Sequence, residues 1–545
     1  MIVAEAVGRA LAACGVETAF GVVGSGNFHV TNALVACGVR FVAARHEGGA
    51  ATMADAYARM SGRVGVVSVH QGPGLTNAMT GIAEAAKSRT PLIVLAAEAT
   101  DRRSNFSIDQ AALAAAVGAV PLRASSAEGA VEAFRVARDE RRTVLLNLPL
   151  DVQALPCEPP ADEPAAPSGV IPSPEGGVAE LARLLGESRR PVFVAGRGAR
   201  RARRELEELA ERAGALLATS AVAKGLFRGS PWDLDVSGGF ATPLAVELIS
   251  DADLVIGWGC ALNMWTTRHG TLIGPDAKVA KVDLDQSAAL QAYVPVDLGV
   301  VGDVAAVASA LTAHLTQPTP ADFAARRGYR SSEVARRIEV EGRWQDVPYD
   351  DESGGGRIDP RTLTIALDEL LPRERLVSTD SGNFMGYPAM FLDVPDENGF
   401  CFTQAFQSIG LGLATAIGAA VARPDRLPVA ALGDGGALMS IAELETVVRL
   451  GLPMVIVVYD DEAYGAEVHH FGPHGHPLDT VTFPPADLAA IARGHGLAAV
   501  TVTEPGDLAG VAEWLKGPRE RPLLVHAKVT AEHGSWWLEE AFKGH

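Results

Sequence analysis

The chain has 545 residues, which is too long for one hydrophobic core and predicts about three domains. Hydrophobic residues make up 48% of it and charged residues 21%, which is typical of a globular protein and not of a disordered one. The formal net charge of −19 disfavours nucleic acids and anionic membranes as partners. Its five cysteines lie far apart, the N-terminus lacks a signal-peptide pattern, and no apolar run is long enough for a transmembrane helix. We therefore expect a cytoplasmic protein that binds neither nucleic acid nor membranes.

Strand-like and helix-like stretches alternate along three blocks of the chain. The first block, 1–160, contains the strand-like runs TAFGVV, VRFVAA, RVGVVSV and PLIVLAA, and it ends in a proline-rich linker at 156–177. The second, 175–330, contains PVFVAG, ADLVIGWG and AKVAKVDLD, and a glycine-rich stretch at 346–360 follows it. The third, 355–545, contains RLVSTD, LPVAAL, PMVIVVYD and PLLVHA. This order predicts three consecutive parallel-sheet α/β domains.

Two predicted strands of the third block end in acidic residues. Asp434 lies in GDGG, directly after the run LPVAAL. Asp460 is the last residue of the run PMVIVVYD, and Asp461 follows it. A strand–helix–strand crossover of this length brings the two strand tips together. Two carboxylates beside a glycine-rich helix start suit Mg²⁺ and a diphosphate. Taken singly, Asp434 could be only a helix cap, and the acidic pair only a solvated turn.

The combination of GDG, an acidic pair and YG resembles the cofactor signature of thiamine-diphosphate enzymes, the superfamily of acetolactate synthase, benzoylformate decarboxylase and benzaldehyde lyase. The resemblance covers the whole chain and implies a pyrimidine-binding, a central Rossmann-like and a diphosphate-binding domain, in that order. It also implies that Mg²⁺ binds Asp434, Asp461 and the carbonyl of Ala463. The family usually has two asparagines where this chain has Asp460 and Asp461, and a shift of one residue would make Asp460 the ligand.

The motifs RHE, A-YAR-SG and GPG-TN of the first block resemble the cofactor-activating domain of the same enzymes. The resemblance implies that Glu47 hydrogen-bonds N1′ of the aminopyrimidine, whereas on physical grounds alone it could simply stabilise a helix N-terminus. In the family, Glu47 and Asp434 belong to different subunits, so a homodimer or homotetramer is implied. The further implied cofactor-binding residues are Gly24, Pro73, Asn77, Ser381, Gly382, Asn383, Gln407, Ile409, Gly433, Gly435, Gly436, Tyr464 and Gly465.

Several polar residues match positions that face substrate in the family. Ser25 and His70 match the serine and the proton-shuttling histidine of benzoylformate decarboxylases, and Gln110 matches an active-site glutamine. His469 and His470 replace the glutamine–tryptophan pair with which acetolactate synthases select their acceptor. A histidine near a strand end is often only a satisfied polar residue, and the histidines after Tyr464 match no known metal-ligand spacing.

The resemblance implies an enzyme that decarboxylates a 2-oxo acid and transfers the acyl-anion equivalent to a carbonyl acceptor, as acetolactate synthase does. One alternative is a decarboxylase or aldehyde lyase that does not ligate, which His70 favours. Another is a non-catalytic cofactor-binding paralogue, against which Glu47 argues. The turn at Gly196, Arg197 and Gly198 is a weak nucleotide-binding pattern, and FAD is a candidate ligand there in addition to thiamine diphosphate and Mg²⁺.

Overall fold

The computed structural model describes residues 1–158, 176–315, 329–535 and 537–538. They form three six-stranded parallel sheets with helices between the strands, which confirms the predicted fold class. Most of the predicted linker at 156–177 lies outside the described residues, and the domain boundaries at 160, 175, 330 and 355 stay predictions. No helix in the described part of the chain is long and apolar enough to cross a membrane.

The N-terminal sheet has the strand order β2-β1-β3-β4-β6-β5. Its central strands are fully buried and rich in Val, Leu and Ala, as expected where helices cover both faces of a parallel sheet. The elements are α1 Val3–Ala13, β1 Thr18–Gly21, α2 Phe28–Ala36, β2 Arg40–Ala43, α3 Glu47–Ser61, β3 Gly65–Val69, α4 Pro73–Lys87, β4 Leu92–Glu98, α5 Gln110–Ala116, β5 Val120–Arg123, α6 Ala127–Asp139, β6 Thr143–Pro149 and α7 Leu150–Gln153.

The central sheet has the order β12-β11-β10-β7-β8-β9. Its strands β7 and β10 are continuous buried runs that pair in parallel. The elements are α8 Val178–Glu187, β7 Pro191–Ala195, α9 Arg203–Ala213, β8 Leu216–Thr219, β9 Asp233–Val236, α10 Pro243–Ser250, β10 Leu254–Trp258, β11 Lys278–Asp283, α11 Gln286–Leu290, β12 Leu298–Val301, α12 Val304–His314 and, beyond the undescribed residues, α13 Ser332–Glu341.

The C-terminal sheet has the order β14-β13-β15-β16-β18-β17. Strands β15 and β16 are neighbours at its centre and are fully buried except at the last residue of β15. The elements are α14 Pro360–Leu370, β13 Arg375–Thr379, α15 Gly386–Phe391, β14 Phe400–Phe402, α16 Gly412–Ala422, β15 Leu427–Gly433, α17 Asp434–Met439, α18 Glu443–Arg449, β16 Val455–Asp460, α19 Gly465–Phe471, α20 Leu488–Gly494, β17 Ala498–Val502, α21 Ala509–Lys516 and β18 Leu523–Lys528.

Helices α3 and α16 join the N-terminal and C-terminal domains into one apolar core. Both are rich in Gly and Ala, and residues such as Ala51, Met53 and Ile417 belong to one buried cluster. At Gly418 the helices approach so closely that a Cβ atom would collide with the carbonyl oxygen of Met53. Small side chains therefore set the spacing of the two domains that carry the predicted cofactor residues.

Gly418→Ala should destabilise the protein, because the added methyl group has no space against the Met53 backbone. Overpacking of this kind costs about 1–3 kcal/mol of unfolding free energy, measured by chemical denaturation. The matched control is Gly186→Ala in α8, where a Cβ atom meets nothing within 4 Å. The control should lose no stability, since alanine favours a helix over glycine. An unchanged unfolding free energy in Gly418→Ala would contradict this packing.

Candidate active site

The two acidic strand ends meet at the carboxyl edge of the C-terminal sheet. Strands β15 and β16 pair in register up to Gly433 and Tyr459, so Asp434 at the start of α17 and Asp461 just after β16 emerge side by side. Their carboxyl groups are within hydrogen-bonding contact of each other. Neither forms an ion pair with a Lys or Arg among the described residues. Asp434 is only 7% exposed.

The pairing of these two acids is electrostatically unfavourable without a cation. Burial, the carboxylate of Asp461 and that of Asp460 together raise the pKa of Asp434 well above its ordinary range. Burial also raises the pKa of Asp461, against a hydrogen bond from the Asn383 amide. A divalent cation between the carboxylates would reverse this penalty, so the donor set fits Mg²⁺.

Asp460 points away from this pair. Its carboxylate accepts hydrogen bonds from Nε2 of His526 at 2.5 Å and from Nζ of Lys528 at 2.7 Å, and both donors lie on β18. Successive residues at a strand end face opposite sides, which explains why the two neighbouring aspartates have different partners. In the structure it is therefore Asp461, and not Asp460, that meets Asp434.

Several glycines around the acidic pair occupy positions where no larger side chain would fit. A Cβ atom at Gly435 would collide with the ring of Tyr464, and one at Gly465 would collide with the carboxylate of Asp461. A Cβ atom at Gly436 would collide with the carboxylate of Asp380. The first turn of α17 therefore presents bare backbone beside Asp434, which suits the close approach of a phosphate group.

A cavity of about 1660 Å³ opens next to the acidic pair. Every C-terminal residue that the resemblance implies for cofactor or metal binding lines this cavity: Ser381, Gly382, Asn383, Gln407, Ile409, Gly433, Asp434, Gly435, Gly436, Asp461, Ala463, Tyr464 and Gly465. The structure thus brings residues from four separate loops to one space.

Three buried carboxylates hold the loops of the site, and sequence reasoning missed all three. Asp380 accepts hydrogen bonds from the backbone N–H groups of Ser381 and Gly410 at 2.8 and 2.9 Å, and so joins the loop after β13 to the segment that contains Gln407 and Ile409. Burial raises its pKa to about 6 despite these donors. A carboxylate directly after the buried strand β13 was the available sequence signal.

Glu84 and Glu443 perform the same task across the domain interface. Glu84, in α4, accepts from the backbone N–H groups of Ala405 and Phe406 at 3.0 and 2.6 Å. Glu443, in α18, accepts from those of Arg45 and His46, both at 3.0 Å, directly before Glu47. Glu84 is the only acidic residue of α4, whereas Glu443 is accompanied by Glu445 in α18, and neither pattern names the partner.

The predicted substrate-facing residues of the N-terminal domain form a second group. Nδ1 of His70 lies 2.9 Å from the carbonyl oxygen of Gln71, which can only accept, so Nδ1 carries the proton. Nε2 is then an acceptor and lies 3.4 Å from the hydroxyl of Ser25. The ring of Phe106 packs edge-on against His70, and a Cβ atom at Gly24 would collide with the imidazole.

Glu47 belongs to the same N-terminal group. It is the first residue of α3 and half-buried, and its carboxylate accepts a hydrogen bond from Asn77 at 3.1 Å. Asn77 lies in the first turns of α4, which begins at Pro73. A Cβ atom at Gly74 would lie 3.0 Å from the Cβ of His70 and 3.4 Å from Oε1 of Glu47, so this glycine separates the two side chains.

Gln110 is buried, and both ends of its amide are engaged within the protein, so its predicted substrate contact stays a prediction. It is 2% exposed, and its amide nitrogen donates to the carbonyl of Ala97 at 3.0 Å and to Asn147 at 2.8 Å. Its amide oxygen accepts from the backbone N–H of Gly72 at 3.3 Å. With these contacts Gln110 fixes the loop before α4.

His469 and His470 lie on α19 but do not line the cavity that contains Asp434. His469 packs against the backbone of Gly534, and burial lowers the pKa of its imidazole. The ring of His470 contacts Phe471. No cluster of three or more potential metal-ligating His, Cys, Asp or Glu side chains occurs within the described residues.

In a single chain, the two groups of predicted cofactor residues are separate. None of the N-terminal residues predicted for the site, Gly24, Ser25, Glu47, His70, Pro73, Asn77 and Gln110, is among the described residues that line the cavity. Helix α3 nevertheless begins at Glu47 and packs along α16 of the C-terminal domain.

The cavity also has an arm that runs along the carboxyl ends of the central strands. Gly196, Ser220, Gly259 and Asp283 line it, each directly after a strand or at its end. The glycine turn at Gly196 packs directly against Gly259, and the guanidinium of Arg197 donates to the carbonyl of Ser88. The turn is thus engaged by the protein itself.

Comparison with known families identifies the same three units. The profile described as "Thiamine pyrophosphate enzyme, N-terminal TPP binding domain" matches residues 1–116. The profile of the central domain of these enzymes matches residues 178–311, and that of their C-terminal TPP binding domain matches residues 380–527. Together the three matches cover most of the chain.

Full-length relatives carry several different names. A sulfoacetaldehyde acetyltransferase of Castellaniella defragrans is 31% identical, over 86% of this chain and 82% of its own. A probable 2-ketoarginine decarboxylase of Pseudomonas aeruginosa is 30% identical, over 92% and 89%. A probable acetolactate synthase large subunit of Methanocaldococcus jannaschii is 28% identical, over 93% and 88%. The chain therefore belongs to the thiamine pyrophosphate-dependent enzymes.

Proposed function

We propose that this protein decarboxylates a 2-oxo acid and transfers the acyl-anion equivalent to a second carbonyl compound, with thiamine diphosphate and Mg²⁺ as cofactors. The products are CO₂ and a hydroxyketone, so one C–C bond breaks and one forms. The observation that carries the proposal is the contact between the carboxyl groups of Asp434 and Asp461, which have no Lys or Arg partner among the described residues, at a glycine-lined cavity. Names of relatives that include acetyltransferase and acetolactate synthase agree with group transfer.

The residues of the C-terminal group would bind the cofactor. Asp434, Asp461 and the carbonyl of Ala463 would hold Mg²⁺, and the bare backbone around Gly435 would accept the diphosphate. Ile409 would support the coenzyme from the cavity wall. When bound, thiamine diphosphate acts as the electron sink that stabilises the carbanion left after loss of CO₂.

Glu47 would hold a proton next to the aminopyrimidine. Its carboxylate stands at a helix start, where Asn77 donates to Oε2 and Oε1 remains for a ligand. His70, with Nε2 as its acceptor atom, would take up or return protons of the substrate. Ser25 lies beside that atom and would orient a carbonyl group.

We also propose a homodimer or homotetramer in which Glu47 of one chain completes the site of another. The support is that exposed apolar side chains flank both groups of site residues. Phe28, 52% exposed, and Phe106 flank the N-terminal group, while Met439, 53% exposed, and Phe406 flank the C-terminal one. Two such faces on one chain suit a two-fold interface.

FAD is retained as an alternative ligand of the central arm of the cavity. The arm runs past strand ends, where nucleotides bind in sheets of this type, which supports the idea. The engagement of Arg197 with Ser88 weighs against a phosphate contact at that turn. Flavin would take no part in the proposed reaction, and absorbance of the purified protein reports on it directly.

The proposed reaction is tested with a panel of 2-oxo acids and aldehydes, added with thiamine diphosphate and Mg²⁺. Both CO₂ and a ligation product should form. Glu47→Gln should lower turnover by at least about a hundredfold, the usual range for a lost proton-transfer group. Glu128→Gln, also in the first turn of a helix of this domain, is the control and should retain turnover. Absence of any turnover by the wild-type protein would instead favour the non-catalytic alternative.

Complementation between inactive variants should show that the site is shared between chains. Glu47→Gln and Asp434→Ala should each be inactive, and co-expression of both variants should recover about a quarter of wild-type activity, because half of the dimers are mixed and one of their two sites is intact. Each variant co-expressed with itself is the control. No recovery, despite mixed dimers detected by differential tags, would place Glu47 and Asp434 in the same chain's site.

His70→Ala should change the division between aldehyde release and ligation. Released aldehyde should fall about a hundredfold or more, since its formation needs a proton at the carbanion, whereas ligation should fall less. Products are quantified by chromatography, with His29→Ala as the control because His29 is exposed on α2. If the wild-type protein releases more aldehyde than ligation product, the decarboxylase alternative replaces the proposed function.

A further inference from the structure

The turn that carries Asp461 is flanked by two charged side chains that face away from the cavity. Asp460 precedes it, is 2% exposed, and accepts hydrogen bonds from His526 and Lys528. Its second carboxylate oxygen accepts from the backbone N–H of Glu462 at 3.1 Å. The side chain of Asp460 therefore bridges β18 and the backbone of the turn.

Glu462, on the other side of Asp461, is fixed by both of its carboxylate oxygens. Oε1 accepts from Lys528 at 3.0 Å and Oε2 from Arg357 at 2.8 Å. The backbone of Glu462 is left-handed, with a φ of +59°, a conformation that non-glycine residues rarely adopt without support. The two ion pairs supply that support.

Lys528 is shared by both acids and is the centre of this cluster. With Arg357 it balances the formal charges of Asp460 and Glu462. Asp460 stands where the family usually has an asparagine. Because its negative charge is balanced within this cluster, it would add no net charge beside the proposed Mg²⁺ site. The site itself keeps only the carboxylates of Asp434 and Asp461.

We propose that Lys528, through Asp460 and Glu462, positions the turn so that Asp461 and the carbonyl of Ala463 face the metal. This rests on the proposed function of the Asp434–Asp461 pair. Residues behind a ligand that fix its orientation commonly change metal affinity by about 10–100-fold when they are lost. Lys528 touches neither the metal nor the substrate in this assignment and is a positioning residue.

A purely electrostatic role for Lys528 makes the opposite prediction. Removal of its charge would leave one surplus negative charge near the metal, and Mg²⁺ would bind more tightly. Loss of positioning would make Mg²⁺ bind more weakly. The sign of the change in Mg²⁺ affinity therefore separates the two explanations.

The test is the Mg²⁺ dissociation constant of the full-length protein at saturating thiamine diphosphate, measured by titration calorimetry. Lys528→Met should raise it at least about tenfold, whereas Lys528→Arg, which keeps the charge and the reach, should stay within about threefold. The control is Lys278→Met, which breaks an exposed pair with Asp297 far from the site and should change nothing. Saturating Mg²⁺ should restore most of the turnover of Lys528→Met.

A second variant guards against loss of folding. Arg357→Met removes the donor to Oε2 of Glu462 and the guanidinium's bonds to the carbonyl oxygens of Asp460 and Val529, but it leaves Lys528 in place, and it should weaken Mg²⁺ binding in the same direction. Unchanged or tighter Mg²⁺ binding in Lys528→Met, or in Arg357→Met if the former does not fold, overturns the positioning role. A wild-type protein that binds no Mg²⁺ with thiamine diphosphate overturns the proposed function as well, so the two failures are distinct.

Discussion

The parallel pairing of β15 with β16 is the constraint on which the candidate site depends. It forces Asp434 and Asp461 to leave neighbouring strands at the same edge, where burial raises the pKa of both carboxyl groups and the charge of Asp461 adds to the rise at Asp434. Such a pair is a net cost to folding unless a cation binds it. The surrounding features all act on this pair: glycines keep the space beside it free, and Asp380 and Lys528 hold the loops on either side.

Buried carboxylates that accept backbone N–H groups connect the domains to the site. Glu84 of the N-terminal domain holds the backbone before Gln407, and Glu443 of the C-terminal domain holds the backbone before Glu47. A hydrogen bond to a charged group contributes about 1.5–3 kcal/mol, so each pair outweighs an ordinary loop contact. Because the apolar packing of α3 on α16 adjoins these bonds, a change in domain spacing would disturb both halves of the site together.

Much of this arrangement follows from local sequence, and the remainder depends on contacts between distant segments. Long apolar runs such as β4, β7 and β16 are readily predicted, whereas the half-buried strand β5 and the three-residue strand β14 carry too weak a pattern. The glycines around Asp434 and the acidic pair after an apolar strand were the local signals for Asp434 and Asp461. The roles of Glu84 and Glu443 need partners more than 300 residues away, which no local pattern contains. Gln110 matched a motif, but its three internal hydrogen bonds become visible only with the folded sheet.

The residues proposed to hold the metal and the diphosphate lie in a different domain from those proposed to face the substrate. In the C-terminal domain the acid pair, the glycines and the loop carboxylates depend on one another sterically, so few substitutions leave them intact. Ser25, His70 and Phe106 lie at loop positions of the other domain, where side chains can change without disturbing the sheet. Relatives about 30% identical to the chain are named for three different reactions. Under the proposed function, this division suits one scaffold to several reactions: the pair of Asp434 and Asp461 would serve the common cofactor, while the residues around His70 would differ with the carbonyl compound.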